Sequence, residues 1–344
     1  MRSVLRTMFI YAVALVIATL SPTVAAAGPA HSHHSGAAPR LLVSGLGSGS
    51  GSTVGPDGWL YVARPAAGTI ARVNPRTGAS STFATGLPTR LPGISVGGVT
   101  DVAFLGHAAY ALVSVVGPDV GGTDTVGLYR INRHGAHTVV ADIGAWSIDH
   151  PPSTPFFIPS GVQYALQSWR GKFLVTDGHH NRVLQVTRRG DIRSVITFGN
   201  VVPTGIDIGR RSIYVAQAGP VPHDPADGKI VSFRPGSTVA KDVASGASIL
   251  TDVEIAHRGK SHRRGGHHAK RTEQLYAISN GTYGGDPEGE PGLPDTGSLV
   301  KANRKGGFDV IAAHLDRPTS LEIVRGKAYV VTYDGEVWVV PLKR

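Results

Sequence analysis

Five carboxylates and one glutamine are the side chains of this chain best suited to chemistry, because each lies in or next to a short strand of similar pattern. They are Asp101, Gln163, Asp207, Asp252, Glu254 and Glu322. Carboxylates gathered at one point hold a divalent cation or act as a general base. Alternation along a strand gives Asp252 and Glu254 a common direction and leaves the direction of the others open. The alternative is that all six simply line a channel, paired with water, Ser or Thr.

Long loops rich in Gly and Pro carry a second group of acidic and aromatic residues. Loops 117–127, 218–228 and 280–297 contain no Lys or Arg, and loop 144–161 contains three of the aromatic rings. The candidate ligand-binding residues in these loops are Trp146, Phe156, Phe157, Asp224, Asp227, Asp286, Glu288 and Glu290. Such a surface suits a cation, a small-molecule ligand or a protein partner. Solvated loops with packed aromatics are the alternative.

Histidine and basic residues are concentrated in two segments. Residues 28–39 contain three histidines, and residues 258–273 combine three more with six Lys or Arg. Imidazoles bind Zn²⁺, so Zn²⁺ stays open beside Ca²⁺ as a cofactor. The composition of 258–273 indicates a solvated, disordered insertion that could attach the protein to an anionic cell-envelope polymer. Without residues 1–27 and this insertion the formal charge falls from +10 to +3, and nothing indicates specific nucleic-acid binding.

The elements that position these residues are copies of one unit. An apolar strand recurs six times, as LYVAR from Leu60, AYALV from Ala109, FLVTD from Phe173, IYVAQ from Ile213, LYAIS from Leu275 and AYVVT from Ala328. A half-buried strand follows each copy, and a shorter strand precedes it. A fourth strand completes five of the six units. Since each unit needs neighbours to cover its apolar faces, the pattern predicts an all-β repeat fold.

The two ends of the repeat region complete each other. The sixth unit lacks a fourth strand, and an unpaired strand at 40–46 precedes the first unit. Pairing these two closes a ring of sheets without a long bare edge. We therefore predict a six-bladed β-propeller over 40–344, built of four-stranded antiparallel blades, with the last blade closed by the N-terminal strand. The basic insertion falls in blade five, on the face opposite the acidic loops, and we expect a monomer.

The N-terminal residues have the pattern of a secretory signal. Arg2 and Arg6 precede an apolar run at 8–20 and three alanines at 25–27. We predict a signal peptide at 1–27, a His-rich disordered tail at 28–39 and a secreted, extracellular protein without a transmembrane segment after cleavage. An uncleaved anchor is the alternative. The absence of cysteine excludes disulfides, a thiolate nucleophile and a zinc–thiolate site.

The chain resembles exported bacterial proteins of the ScyD/ScyE family over residues 39–344. The resemblance rests on VGPDGWLYVAR at 54–64, DIGAW at 142–146, TDGHHNRVLQV at 176–186, PTGIDI at 203–208 and NGTYGGDPEGEPG at 280–292. It implies a secreted propeller and carries no catalytic residues. The wider class is similar to NHL-repeat and gluconolactonase-like propellers. The lactonase pattern has a Glu, an Asn-Gly and an Asp-Gly at inner-strand starts, where this chain has Ser52-Thr53, Ser160-Gly161 and Thr204-Gly205, which argues against a lactonase.

Two functional hypotheses follow. In the first, the protein is a non-enzymatic scaffold that binds a ligand or protein through its acidic and aromatic loop face. In the second, it is a metal-dependent hydrolase or lyase with a carboxylate site in the central channel. No nucleophile elbow, phosphate-binding glycine loop or HExxH motif is present to favour a particular reaction.

Overall fold

The computed structural model describes residues 38–132, 136–257, 273–285 and 289–342. These residues belong to one unit, Gly36–Arg344. The predicted signal peptide, most of the 28–39 tail, the basic insertion apart from Glu273, and two candidate ligand-binding residues, Asp286 and Glu288, lie outside the described residues.

Six four-stranded antiparallel sheets follow one another along the described chain. The chain begins with β1 (Arg40–Val43). Blade 1 comprises β2 (Ser52–Val54), β3 (Leu60–Arg64), β4 (Thr69–Val73) and β5 (Ser80–Ala84), and blade 2 comprises β6 (Gly98–Leu105), β7 (Ala108–Ser114), β8 (Gly127–Ile131) and β9 (His137–Asp142). Blade 3 comprises β10 (Gln163–Trp169), β11 (Lys172–Asp177), β12 (Arg182–Val186) and β13 (Ile192–Thr197), and blade 4 comprises β14 (Pro203–Ile208), β15 (Ile213–Gln217), β16 (Gly228–Phe233) and β17 (Lys241–Ala247). Blade 5 comprises β18 (Leu250–His257), β19 (Glu273–Ser279), β20 (Gly297–Ala302) and β21 (Phe308–Leu315), and blade 6 comprises β22 (Pro318–Val324), β23 (Lys327–Thr332) and β24 (Val337–Pro341).

The ring closes through the N-terminal strand. β1 pairs antiparallel with β24, with Arg40 opposite Val339 and Leu41 opposite Trp338, and it forms the outer strand of blade 6. The predicted six-bladed propeller and its mode of closure are therefore confirmed. The observed strand ends at Val43, short of the predicted residue 46, because Gly45 adopts a φ of 77° and turns the chain away.

The recurrent tyrosines pack between blades. Tyr61 of blade 1 meets Phe104 of blade 2 edge-on at 4.7 Å, and Tyr110 of blade 2 lies 4.6 Å from Phe173 of blade 3. The hydroxyl of Tyr329 donates to the carbonyl of Pro75 across the closure of the ring. The repeat position thus supplies apolar area between blades and a polar tip, which finds its partner in the next blade for Tyr329 and in its own blade, at Asp57, for Tyr61.

One short helix interrupts the otherwise all-β chain. α1 (Ile143–Asp149) begins where the sequence predicted an irregular loop at 144–161, because Asp142 caps it by accepting from Ala145 N at 2.8 Å. A 3₁₀ turn spans Pro118–Val120. Within the described residues, no helix has the length and apolarity needed to cross a membrane.

Candidate ligand site in the central channel

The first strands of the six blades surround a central channel. Each of β2, β6, β10, β14, β18 and β22 packs against the first strand of the next blade, and β22 packs against β2. The channel contains a cavity of about 340 Å³. Loops that follow the second strands, together with loops between blades, form its mouth, so the cavity opens on the face that the sequence predicted to be acidic and aromatic.

Strand register divides the channel lining into two rings. In every blade one first-strand residue lies opposite the third residue of the recurrent second strand; these are Ser52, Val102, Leu166, Ile206, Val253 and Leu321. The residues just before them form an upper ring, nearer the mouth: Gly51, Asp101, Ala165, Gly205, Asp252 and Ser320. The residues just after them form a lower ring: Thr53, Ala103, Gln167, Asp207, Glu254 and Glu322. All except Gly205 and Ala103 line the cavity.

The two upper-ring carboxylates connect blades. Asp101 accepts from Val102 N in its own strand and from Leu166 N in the next blade, both at 2.7 Å. Asp252 accepts in the same way from Val253 N and Leu321 N, both at 2.8 Å. Burial raises the pKa of Asp101 well above its usual value and that of Asp252 to about 7, although the backbone donors act in the opposite direction.

Glycine precedes each of these aspartates in the upper ring. A Cβ on Gly51 would lie 2.1 Å from Asp101 Oδ1, and a Cβ on Gly205 would lie 2.4 Å from Asp252 Cα. The order Gly, Asp, small residue therefore occurs twice around the ring, in blades 1 to 3 and again in blades 4 to 6. The glycine of the preceding blade leaves room for the aspartate side chain, and the aspartate then accepts a hydrogen bond from the following blade.

The lower ring is acidic on one side only. Thr53, Ala103 and Gln167 come from blades 1 to 3, whereas Asp207, Glu254 and Glu322 come from blades 4 to 6. Asp207 is another connector, since it accepts from Ile208 N at 2.6 Å, Ile255 N at 2.8 Å and Gln167 Nε2 at 3.0 Å. The lower ring thus has one acidic side and one neutral side, while Asp101 adds a carboxylate to the upper ring on the side of blades 1 to 3.

Glu254 and Glu322 differ from the three aspartates. Neither carboxyl group forms a hydrogen bond or ion pair with another residue in the described part of the chain, and both line the cavity. Burial is the main cause that raises the pKa of each well above its usual value. The neighbouring Asp207 and Glu322 raise the pKa of Glu254 further, and Asp252 and Asp207 do so for Glu322. These are the two free acids of the site.

Two histidines near the mouth have the opposite perturbation. Burial lowers the pKa of His179 to about 4 and lowers that of His223 below its usual value, so both imidazoles are neutral at pH 7. His223 Nδ1 is buried without a hydrogen-bond partner among the described residues. Both residues line the cavity.

A polar bridge crosses part of the mouth. Glu290, in the loop after β19, accepts from the hydroxyl of Ser95 at 2.7 and 2.6 Å. Arg90 donates to the Ser95 carbonyl at 3.2 Å and to the Tyr333 hydroxyl, and its guanidinium lies 4.9 Å from the Tyr333 ring. The positive charge of Arg90 is thereby held at the rim.

Gln163 differs from the other predicted channel residues. It is fully buried, accepts from Ser114 Oγ at 2.9 Å and donates to the carbonyl of Ser160. Gln163 lines the cavity but lies outside the two rings, beyond a register shift between Gln163 and Leu166, and Gln167 occupies the lower-ring position. Gln167, Thr53, His179 and His223 were not singled out from the sequence.

The predicted loop residues lie around the mouth with different exposure. Phe156 and Phe157 are 39% and 57% exposed, and Phe157 contacts the cavity-lining His179 with ring centroids 4.2 Å apart. Asp227 packs beside Gly219, and its backbone N–H donates to the carbonyl of Asp224 in the same loop. Neither aspartate lines the cavity, whereas Glu290 does.

Trp146 belongs to a separate cluster. Its ring stacks on His150 at 4.2 Å and lies 4.9 Å from the guanidinium of Arg182. Arg182 forms a buried salt bridge with Asp177 at 3.0 Å and donates to Ser147 Oγ at 3.0 Å. Trp146 therefore covers a buried polar network.

The carboxylates of the described channel do not have the donor geometry of a metal site, and the histidines of 28–39 and 258–273 that suggested Zn²⁺ lie outside the described residues. Nowhere in the described ranges do three or more His, Asp or Glu side chains come close enough together to hold a metal ion. Asp101, Asp207 and Asp252 direct their oxygens to backbone N–H groups, which leaves Glu254 and Glu322 as the two unengaged acids.

Solved structures with the same architecture include several enzymes. A gluconolactonase from Xanthomonas campestris matches with a TM-score of 0.59 and 10% identity, covering 89% of each chain. A PQQ-bound aldose sugar dehydrogenase from Streptomyces coelicolor matches with a TM-score of 0.57 and 13% identity, covering 88% of this chain and 96% of that one. A virginiamycin B lyase from Staphylococcus aureus matches with a TM-score of 0.50 and 12% identity, covering 89% and 98%.

Identities this low establish the propeller fold alone. No family model matches the sequence. No curated protein matches it either. The resemblance to the ScyD/ScyE family stays a prediction.

Proposed function

We propose that the central cavity binds a small organic cation and that Glu254 and Glu322 supply its counter-charge. The observation that carries this proposal is that both carboxyls face one cavity of about 340 Å³ without a protein partner in the described chain. A volume of this size suits a small ligand. No Lys from the described residues lines the cavity, and the one Arg, Arg90, is held at the rim by Ser95 and Tyr333.

The empty and occupied sites should differ in protonation. Burial and mutual repulsion raise the pKa of both glutamates, so they retain protons above the pH at which a solvated Glu ionises. A bound cation favours the carboxylate and lowers its pKa, so binding releases protons. A neutral polyol would leave the acids protonated and release none.

Titration calorimetry in two buffers of different ionisation enthalpy tests the proposal. The probes are choline and its neutral isostere 3,3-dimethylbutan-1-ol. We expect choline to bind with release of up to about one proton and to bind about tenfold more weakly to Glu254→Gln and to Glu322→Gln. Asp191→Asn, which changes an acid outside the cavity, is the matched control. Equal binding of the neutral isostere, or affinity unchanged by both Gln variants, would refute the proposal.

The aromatic loops extend this site outward. Phe157 contacts His179 at the mouth, so the loop face predicted to bind ligand and the cavity are continuous. A ligand with an apolar portion would place it against Phe156 and Phe157, which are both exposed. Phe157→Ala should weaken such a ligand without affecting choline.

A second candidate function is acid–base catalysis of hydrolysis or elimination. The observation that favours it is that neutral imidazoles and protonated glutamates line the same cavity. His223 can accept a proton through its unpartnered Nδ1, and a protonated Glu254 or Glu322 can donate one to a leaving group. A lactonase and a lyase share the fold. The donor set provides for no metal step, so this chemistry would differ from the metal-dependent reaction predicted from the sequence.

A screen of lactones, esters and β-elimination substrates tests the second candidate. The expected result is a bell-shaped pH–rate profile, with activity reduced about 100-fold or more by His223→Ala and by Glu254→Gln. His137→Ala, at the start of β9, is the control. Activity that survives both substitutions would contradict this reading.

A further inference from the structure

The propeller face opposite the cavity mouth contains a groove rich in arginine. It has a volume of about 630 Å³ and lies between the β10–β11 turn, the β14–β15 turn and the β16–β17 turn. We call it the arginine groove and define it by Trp169, Arg170, Arg210, Arg211 and Arg234. The face contrasts with the mouth, whose three longest second-to-third-strand loops contain no Lys or Arg.

The four arginines of the groove form no ion pairs with acids of the described chain, although the Glu273 carboxylate lies nearby. All four are exposed. The carboxylate of Glu273 accepts from the backbone N–H of Arg210 and from the Tyr214 hydroxyl. Elsewhere on the surface Arg72 and Arg317 are paired with aspartates. Several unpaired guanidinium groups in one groove repel one another, and a ligand with several negative charges would relieve that repulsion.

Arg170 occupies a turn position that arginine seldom takes. Its φ is 47° and that of Gly171 is 78°, which are the signs of a type I′ turn, where Asn, Asp and Gly predominate. Holding a non-glycine residue there costs on the order of 1 kcal/mol. The turn keeps the guanidinium 5.0 Å from the centre of the half-buried Trp169 ring. The Arg170 cation therefore lies over one face of the indole ring.

We propose that the arginine groove binds an acidic polysaccharide. Guanidinium forks match carboxylate and sulfate groups, and an indole face packs against the C–H face of a sugar ring. Single-stranded nucleic acids are held by successive aromatic platforms, whereas Trp169 is the one aromatic ring lining the described groove. In this proposal the folded body binds the anionic envelope polymer, in place of the insertion 258–273 that the sequence suggested. The proposal does not depend on the cavity.

Binding of hexagalacturonate to the full-length mature chain tests the proposal. Neutral isomaltohexaose and single-stranded DNA are the comparison probes, and Trp fluorescence and calorimetry are the readouts. We expect binding at 50 mM salt that weakens about tenfold at 300 mM, since salt screens exposed charges. Arg210→Ala/Arg211→Ala and Arg170→Asn should each weaken binding about tenfold, and Asn suits the turn conformation, so that variant should fold. The Trp169→Phe variant should lose the fluorescence change.

The control is Arg304→Ala/Lys305→Ala, which removes two exposed charges from another turn of the same face. We expect it to bind like the wild type. Equal weakening by the control would show diffuse attraction and overturn the groove assignment. Tighter binding of DNA, equal binding of the neutral glycan, no binding of hexagalacturonate, or loss of binding only on Arg263→Ala/Arg264→Ala in the insertion would also overturn it.

Discussion

The substitution Gly51→Ala tests whether the upper-ring aspartates hold the blades together. A Cβ at this position would lie 2.1 Å from Asp101 Oδ1 and 2.4 Å from its Cγ. The φ of Gly51 is not in the left-handed region, so the backbone itself tolerates alanine. The expected damage therefore arises from the displaced carboxylate.

The magnitude follows from the contacts that Asp101 would give up. To avoid the new methyl group the carboxylate must leave Leu166 N and Val102 N, which it holds at 2.7 Å each. A hydrogen bond contributes about 0.5–1.5 kcal/mol, or about 1.5–3 kcal/mol where the acceptor is ionised, and cavity water can hydrate part of what is lost. We expect the free energy of unfolding to fall by about 3 kcal/mol, which corresponds to a decrease in Tm of roughly 5 °C for a domain of this size.

Urea unfolding and differential scanning calorimetry at pH 7 measure this loss. Gly199→Ala is the matched control, because a Cβ there meets nothing within 4 Å, and it should change stability by less than about 0.5 kcal/mol. The substitution Asp101→Ala should cost more stability when it is introduced into the wild type than when it is introduced into the Gly51→Ala variant. The difference, which is the coupling free energy of the double-mutant cycle, should be about 1–2 kcal/mol. A loss below about 1 kcal/mol, or additive effects of the two substitutions, would refute the role of Asp101 as a connector.

Three further outcomes follow from the buried charges. Burial raises the pKa of Asp252 from 3.8 to about 7, so the folded protein favours the protonated form of this residue. Relative to Asp252→Asn, the wild type should therefore be most stable below pH 4 and should lose about 4 kcal/mol of stability as the pH rises to 8. Urea unfolding at each pH measures this loss. Glu254→Gln should leave Tm unchanged or raise stability by about 1 kcal/mol, because it removes an acid without a partner, and a loss above that size would contradict its assignment as a free group. Arg182→Ala should cost about 3 kcal/mol, because the buried Asp177 loses its guanidinium partner and keeps only His180 and Gln163. Arg72→Ala, at a third-exposed pair, should cost less than about 1 kcal/mol in the same denaturation experiment.

The fold was predictable because its information is local and repeated. Each second strand is a short apolar run, five of the six have tyrosine at the second position, and alternation in the third strand marks which face is buried. The sixth unit lacks an outer strand and an unpaired strand lies near residue 40, so pairing the two is the simplest way to close the ring. The helix at Ile143–Asp149 was missed because seven residues are too few to show a helical period.

The candidate site was predictable only in part. The sequence places Asp252 and Glu254 on one side of a strand, but the relative height of two blades depends on register shifts such as that between Gln163 and Leu166. Gln163 therefore lies outside the two rings although it lines the cavity, and Gln167 takes the lower-ring position. Composition also cannot distinguish a carboxylate engaged by the backbone of the next blade, such as Asp207, from a free one, such as Glu322. That difference depends on contacts between distant segments.

The pairing of β1 with β24 has a consequence for how the protein is made. The first strand of the propeller to leave the ribosome finds its partner only when the last strand has been synthesised. Until then blade 6 lacks its outer strand, and the ring in which β2 and β22 pack against each other stays open. Such long-range pairing slows folding and exposes strand edges in the meantime. Biogenesis of this protein therefore depends on keeping Arg40–Val43 unpaired with other chains throughout synthesis.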